Sequence, residues 1–88
     1  MKIAIDRSFE RDIKKLPKQI QLQAKEIILK IQASNALSDF NPVKMEGGKN
    51  AFRIRTGNYR IGFYLESAVI VLSRMLDRKE IYRYFPKK

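Results

Sequence analysis

The chain has 88 residues, with 19 Lys/Arg against 9 Asp/Glu, and neither cysteine nor histidine. One domain spanning 1–88 is the reading at that length, with a core that needs no staples. The missing cysteine excludes disulfides and thiolate metal sites, and the missing histidine removes the commonest general base and metal ligand, so no metal and no cofactor is expected. No apolar run nears the roughly 20 residues of a membrane span, and no signal-peptide core is present, so a cytoplasmic protein without a membrane partner is expected. The net charge of +10 is spread along the chain: nine Lys/Arg against five Asp/Glu in residues 1–45, and ten against four in 46–88. A small folded domain of that charge suits a polyanion or an acidic protein.

Lys2–Asp6 reads as a short strand. Ser8 is placed to cap a first helix, whose apolar stripe is Phe9, Ile13 and Leu16. Pro17 suits the start of a second helix. Ile20, Ala24, Ile27, Ile28 and Ile31 then give a stripe at helical spacing that runs to about Ser34, with Leu22 and Leu29 off it. The two helices are expected to form a hairpin across one face of a sheet. A connector rich in Asn, Ser, Asp, Pro and Gly occupies 34–48, with a short extended piece at Val43–Met45.

Phe52 to Tyr64 reads as a β-hairpin by parity. Phe52, Ile54, Tyr59, Ile61 and Phe63 fall on one face, and Arg53, Arg55, Arg60, Gly62 and Tyr64 on the other. Only a register pairing 55 with 60, 54 with 61 and 53 with 62 keeps both faces consistent. It leaves Gly57-Asn58 as a two-residue loop, a composition that suits primed hairpin turns. The result is a rigid face of three arginines and a tyrosine, suited to a phosphodiester backbone. Glu66-Ser67 is read as the next turn, followed by a central strand at Ala68–Ser73. Asp77–Phe85 reads as a short helix or an extended tail, ended by Pro86, Lys87 and Lys88. The expected fold class is α+β: an N-terminal strand and helical hairpin packed on an antiparallel meander of about four strands in all, with a short C-terminal segment.

Three segments carry a family resemblance: Ser8 to Pro17 with Asp12-Ile13-Lys14-Lys15-Leu16 inside it, Arg55-Thr56-Gly57-Asn58-Tyr59-Arg60, and Arg78-Lys79-Glu80-Ile81-Tyr82-Arg83. In order and spacing they resemble the RelE/ParE superfamily of toxins from bacterial type II toxin–antitoxin modules, over essentially the whole chain. The RelE-like branch, which the resemblance favours, implies metal-independent cleavage of mRNA in the ribosomal A site and a cognate antitoxin protein as partner. The ParE-like branch implies inhibition of DNA gyrase instead. A decayed toxin that only binds its antitoxin is a third alternative, and a homodimer or a toxin–antitoxin hetero-oligomer is left open. The sequence departs from many RelE-like relatives in carrying Asp77 where they have histidine.

Cleavage without metal uses the 2′-OH of the RNA as nucleophile, so the protein must hold the phosphate, stabilise its charge and move protons. Arginine suits the first two tasks because it stays charged and donates paired hydrogen bonds to phosphate. On the resemblance, Arg55 and Arg60 are expected to clamp the phosphate and Arg78 to stabilise transition-state charge. Tyr82 is expected to shuttle protons or stack on a base. Lys49, Arg53, Tyr64 and Arg83 are expected to contact RNA. Asp77 is read as an ion-pair partner of Arg74 or Arg78, and Tyr59 as core.

Overall fold

The computed structural model describes residues 1–86; Lys87 and Lys88, read above as the end of the tail, lie outside the described residues. The strands are β1 (Lys2–Ile5), β2 (Val43–Lys44), β3 (Ala51–Thr56), β4 (Tyr59–Glu66) and β5 (Val69–Asp77), and the helices are α1 (Arg7–Lys14), α2 (Lys18–Ala33) and α3 (Ile81–Tyr84). The fold is α+β. The sheet has five strands in the order β1-β5-β4-β3-β2. β2 to β5 form an antiparallel meander, and β1 adds a parallel edge strand on β5. The sheet is therefore mixed and one strand larger than the sequence suggests, because the chain returns from α2 through β2 and leaves β1 free to pair at the far edge.

The hairpin follows the parity argument. Arg53 faces Gly62, Ile54 faces Ile61, and Arg55 faces Arg60, with Gly57 at a φ of +60° in the loop. The next turn lies one residue later than expected: Ser67 and Ala68 take positive φ values of 48° and 65°. β5 runs on to Asp77, four residues past the expected end. A register shift opposite Gly62/Phe63 lets it keep Leu72 and Met75 in the same core.

α1 and α2 cover one face. Phe9, Ala24 and Ile31 pack with Ile54, Ile61, Phe63, Ile70, Leu72 and Met75, and Phe52 stacks on Phe63 with ring centroids 5.3 Å apart. Leu22 and Leu29, off the stripe, are exposed. Pro17 is the N-cap of α2, and Gln21 Nε2 donates to the Ile13 and Leu16 carbonyls, tying α2 to the chain that leaves α1. The Met1 ammonium donates to the Ile31, Gln32 and Ser34 carbonyls, placing a cation at the negative end of α2. Asp39 accepts from the Asn35 and Ala36 backbone N–H groups, which hold its carboxyl below the usual carboxylate range.

The cap of α1 is Asp6, not Ser8. Ser8 has another task. β1 pairs with β5 only along Val69–Leu72, so β5 beyond it has no strand neighbour on that side. α1 takes over that edge: Ser8 Oγ donates to the Ser73 carbonyl at 2.6 Å, and Asp12 Oδ2 accepts from the Met75 N–H at 3.0 Å. Asp12 is buried, and the Arg74 guanidinium donates to both of its oxygens, at 2.7 and 3.1 Å. This charge-assisted fork raises the pKa of Arg74 further.

Candidate active site

The second face of the sheet has its own small core. Ile81 and Phe85 from the C-terminal segment pack on Met45 and Ala51, with Tyr64 and Leu76 at the margin. The register explains where this segment sits. Arg53, Gly62 and Arg74 form one row across β3, β4 and β5. Gly62 leaves a notch in the middle of that row, and Phe85 fills it; a Cβ on Gly62 would lie 2.5 Å from the Phe85 ring. The two arginines that flank the notch each meet a tyrosine from α3. The Arg53 guanidinium lies 5.5 Å from the Tyr82 ring centroid, and that of Arg74 lies 5.4 Å from the Tyr84 ring centroid. Such cation–π contacts contribute about 0.5–1 kcal/mol each at exposed sites. The helix thus straddles β4, anchored by a ring in a notch and by a guanidinium on either side.

The anchor on the Arg74 side continues inward through Asp12 to the backbone of Met75. Tyr82, on the other side, is 59% exposed and presents its ring to solvent beside Arg53. Next to this pair is a cleft of about 370 Å³, walled by Lys44, Glu46, Arg53, Tyr82, Phe85 and Pro86. Gly47 also lines it, and the next residue, Gly48, packs so tightly on Pro86 that a Cβ there would meet it at 2.9 Å.

The predicted residues fall into groups. Arg53 and Tyr82 meet at the cleft. Arg55 is exposed and directly opposite Arg60. Like charges facing each other across a strand pair are destabilising, and Arg60 relieves part of this by turning back onto the loop, donating to the Gly57 and Tyr59 carbonyls at 3.0 and 2.8 Å. Arg78 is exposed in the turn after β5, its N–H bonded to the Asn58 carbonyl, which ties that turn to the hairpin tip. Among the described residues, Arg53, Arg55, Arg60 and Arg78 have no carboxylate within ion-pair distance. Lys49 is exposed in the loop before β3. Tyr64 packs on Phe85, centroids 5.0 Å apart, and is half-buried. Arg83 is exposed and 3.7 Å from Glu80 one turn back. Tyr59 is half-buried against the main core.

Asp77 corrects an expectation. It forms no ion pair with Arg74 or Arg78; its Oδ1 accepts from the Lys79 N–H at 2.8 Å and shapes the turn, while Arg74 is taken by Asp12. Arg74 and Phe85 are the site-building residues that sequence reasoning passed over. Their signal was Gly62, a lone glycine among large residues on the basic face, which marks a close approach. No group of three or more His, Cys, Asp or Glu positioned to hold a metal occurs among the described residues.

Comparison with known proteins places this arrangement. Residues 3–82 match the family model described as the ParE toxin of the type II toxin-antitoxin system, parDE. Toxin RelE3 of Methanocaldococcus jannaschii is 42% identical over 88 residues, covering 98% of this chain and all of that protein. The RelB-RelE antitoxin-toxin complex from Methanococcus jannaschii superposes with a TM-score of 0.79 at 39% identity, over 94% of this chain and 99% of that one. The isolated E. coli RelE toxin shares the fold, with a TM-score of 0.69 at 17% identity over 93% of this chain and 90% of the other. The chain belongs to the ParE/RelE family of type II toxin–antitoxin toxins and is RelE-like in sequence and structure.

Proposed function

We propose that the protein is a metal-independent endoribonuclease that cuts mRNA in the ribosomal A site, acts in the cytoplasm and is held inactive by a cognate antitoxin. The observation that carries this reading is the Arg53–Tyr82 pair at the mouth of the cleft, near Arg55, Arg60 and Arg78, which, unlike Arg74, lack carboxylate partners among the described residues. Arginines free of carboxylates are available to phosphate oxygens. An exposed aromatic ring beside them is available to a splayed base. The 2′-oxygen of the RNA attacks the adjacent phosphorus, and the bond to the 5′-oxygen breaks. A 2′,3′-cyclic phosphate and a 5′-hydroxyl result. Arg55 and Arg53 hold the phosphate, and Arg60 swings from its loop carbonyls to join them. Arg78 neutralises charge on the oxygens, and Tyr82 moves the proton. Lys49 and Arg83 extend the basic track for RNA on either side. The antitoxin reading draws on the solved RelB-RelE complex, in which the relative is paired with RelB.

A second reading, inhibition of DNA gyrase, is favoured by the ParE description of the matching family model and by the lack of histidine. Inducing the chain and mapping 5′ ends on a translated reporter separates the two. Cuts inside codons that require translation and disappear in Arg60→Ala and Tyr82→Phe are expected. Growth arrest with intact mRNA and altered plasmid supercoiling selects gyrase. A folded Arg60→Ala/Tyr82→Phe double variant that still cuts mRNA overturns the assignment of these residues.

A further inference from the structure

The cleft beside Tyr82 contains one group that phosphate binding does not explain. Glu46 is exposed on its wall, near Lys44, Arg53 and Tyr82. It has no ion-pair partner among the described residues. A carboxylate in a basic groove opposes binding of the phosphate backbone. Placed beside an aromatic platform, it has a different use. An ionised carboxylate only accepts hydrogen bonds, and its two oxygens accept two at once. Among the four RNA bases, only guanine places two adjacent donors on its Watson–Crick edge, N1–H and the exocyclic N2–H. Adenine and cytosine set a ring acceptor beside their amino group, and uracil flanks its single N–H with two carbonyl oxygens. Each of these turns a lone pair toward a carboxylate.

We infer that the cleft is a base-reading pocket in which a nucleobase stacks on Tyr82 and Glu46 selects guanine. This deepens the ribonuclease reading and rests on it for its biological setting. The pocket is preformed: its floor is the buried Phe85, and Gly48 on Pro86 fixes the loop that carries Glu46. Arg53 meets the phosphate attached to the base, so affinity and selectivity reside in different side chains.

The test uses the full chain and 5′-phosphorylated 2′-deoxydinucleotides, which the proposed chemistry does not cleave, differing only in whether the second base is G, A, C or T. Affinities are read by NMR titration. The G-containing probe is expected to bind roughly fivefold or more tightly than the others, the range of a good bidentate carboxylate–base pair. Glu46→Gln is expected to remove that preference while keeping the fold, and Tyr82→Ala to weaken all four probes. Equal affinities for all four probes in the wild type, or a guanine preference that survives Glu46→Gln, overturns the inference. Cut-site mapping keeps the two conclusions apart. Guanine selectivity without translation-dependent cuts defeats the ribonuclease reading and leaves the pocket standing. Cuts with no base preference at any position, together with equal affinities, do the reverse.

Discussion

Asp12 illustrates how much one side chain can hold. It accepts a backbone N–H from β5 and both arms of the Arg74 fork, and Arg74 then supports Tyr84. Removing a buried carboxylate that accepts three such bonds costs about 2–3 kcal/mol, discounted from the fully buried case because Arg74 is partly exposed. Asp12→Ala is therefore expected to lower the unfolding free energy by that amount, read as a lower urea midpoint at unchanged m-value, a large share of the stability of a small domain. Slower cleavage is expected to accompany it, since the helix bearing Tyr82 loses one of its two guanidinium contacts. An unchanged midpoint rules out the edge-capping role of Asp12. Neither role was legible in the spacing of α1, where Asp12 reads as an ordinary charge in a first helix. What gives it away is its partner 62 residues further on, and no local pattern reports that.

Among the elements, those with strong periodicity were legible and those shaped by tertiary contacts were not. The hairpin register and the α2 stripe follow from parity and helical spacing, because burial of one face leaves a single consistent choice. The length of β5 was missed because its last residues pair with β4 beyond a bulge, and an apolar run does not reveal a bulge. α3 was ambiguous because four residues with little helical propensity to spare are held by packing rather than by their own preference. That dependence is testable at Gly62. Gly62→Ala puts a methyl group into the Phe85 ring, and overpacking of this kind costs about 1–3 kcal/mol. The expected outcome is faster hydrogen exchange at the Phe85 amide, bonded to Ile81, with the amides of β3 and β4 still protected. Uniform loss of protection across the sheet contradicts the picture of a separately anchored helix.

At the scale of the molecule, charge is arranged rather than merely abundant. The helical face spreads its lysines, whereas Arg53, Arg55, Arg60 and Arg78 gather around one hairpin and the turn tied to its tip. The candidate face was legible for that reason: parity alone puts three arginines together. The cleft was not, because its walls come from β2, its following loop, β3 and the C-terminal segment, which only the closed fold brings together. Four phosphate contacts predict that the logarithm of single-stranded RNA affinity falls with the logarithm of salt concentration with a slope of roughly −3, at about −0.7 per contact. Arg55→Gln is expected to reduce the slope by about 0.7 in a filter-binding series from low to moderate salt. An unaltered slope removes Arg55 from the interface.

The position of β1 also bears on when the toxin comes into being. β1 pairs with β5 alone, Lys2 lying opposite Val69, and the α1 contacts to Ser73 and Met75 are equally remote in sequence. Such distant pairings form late, because the loop between them must close before any bond rewards it. During translation the first strand has no partner until the last one has been made. The helical hairpin must wait with part of its apolar stripe unburied, and the arginine face has no backing. A folded toxin therefore does not exist until nearly the whole chain has been synthesised.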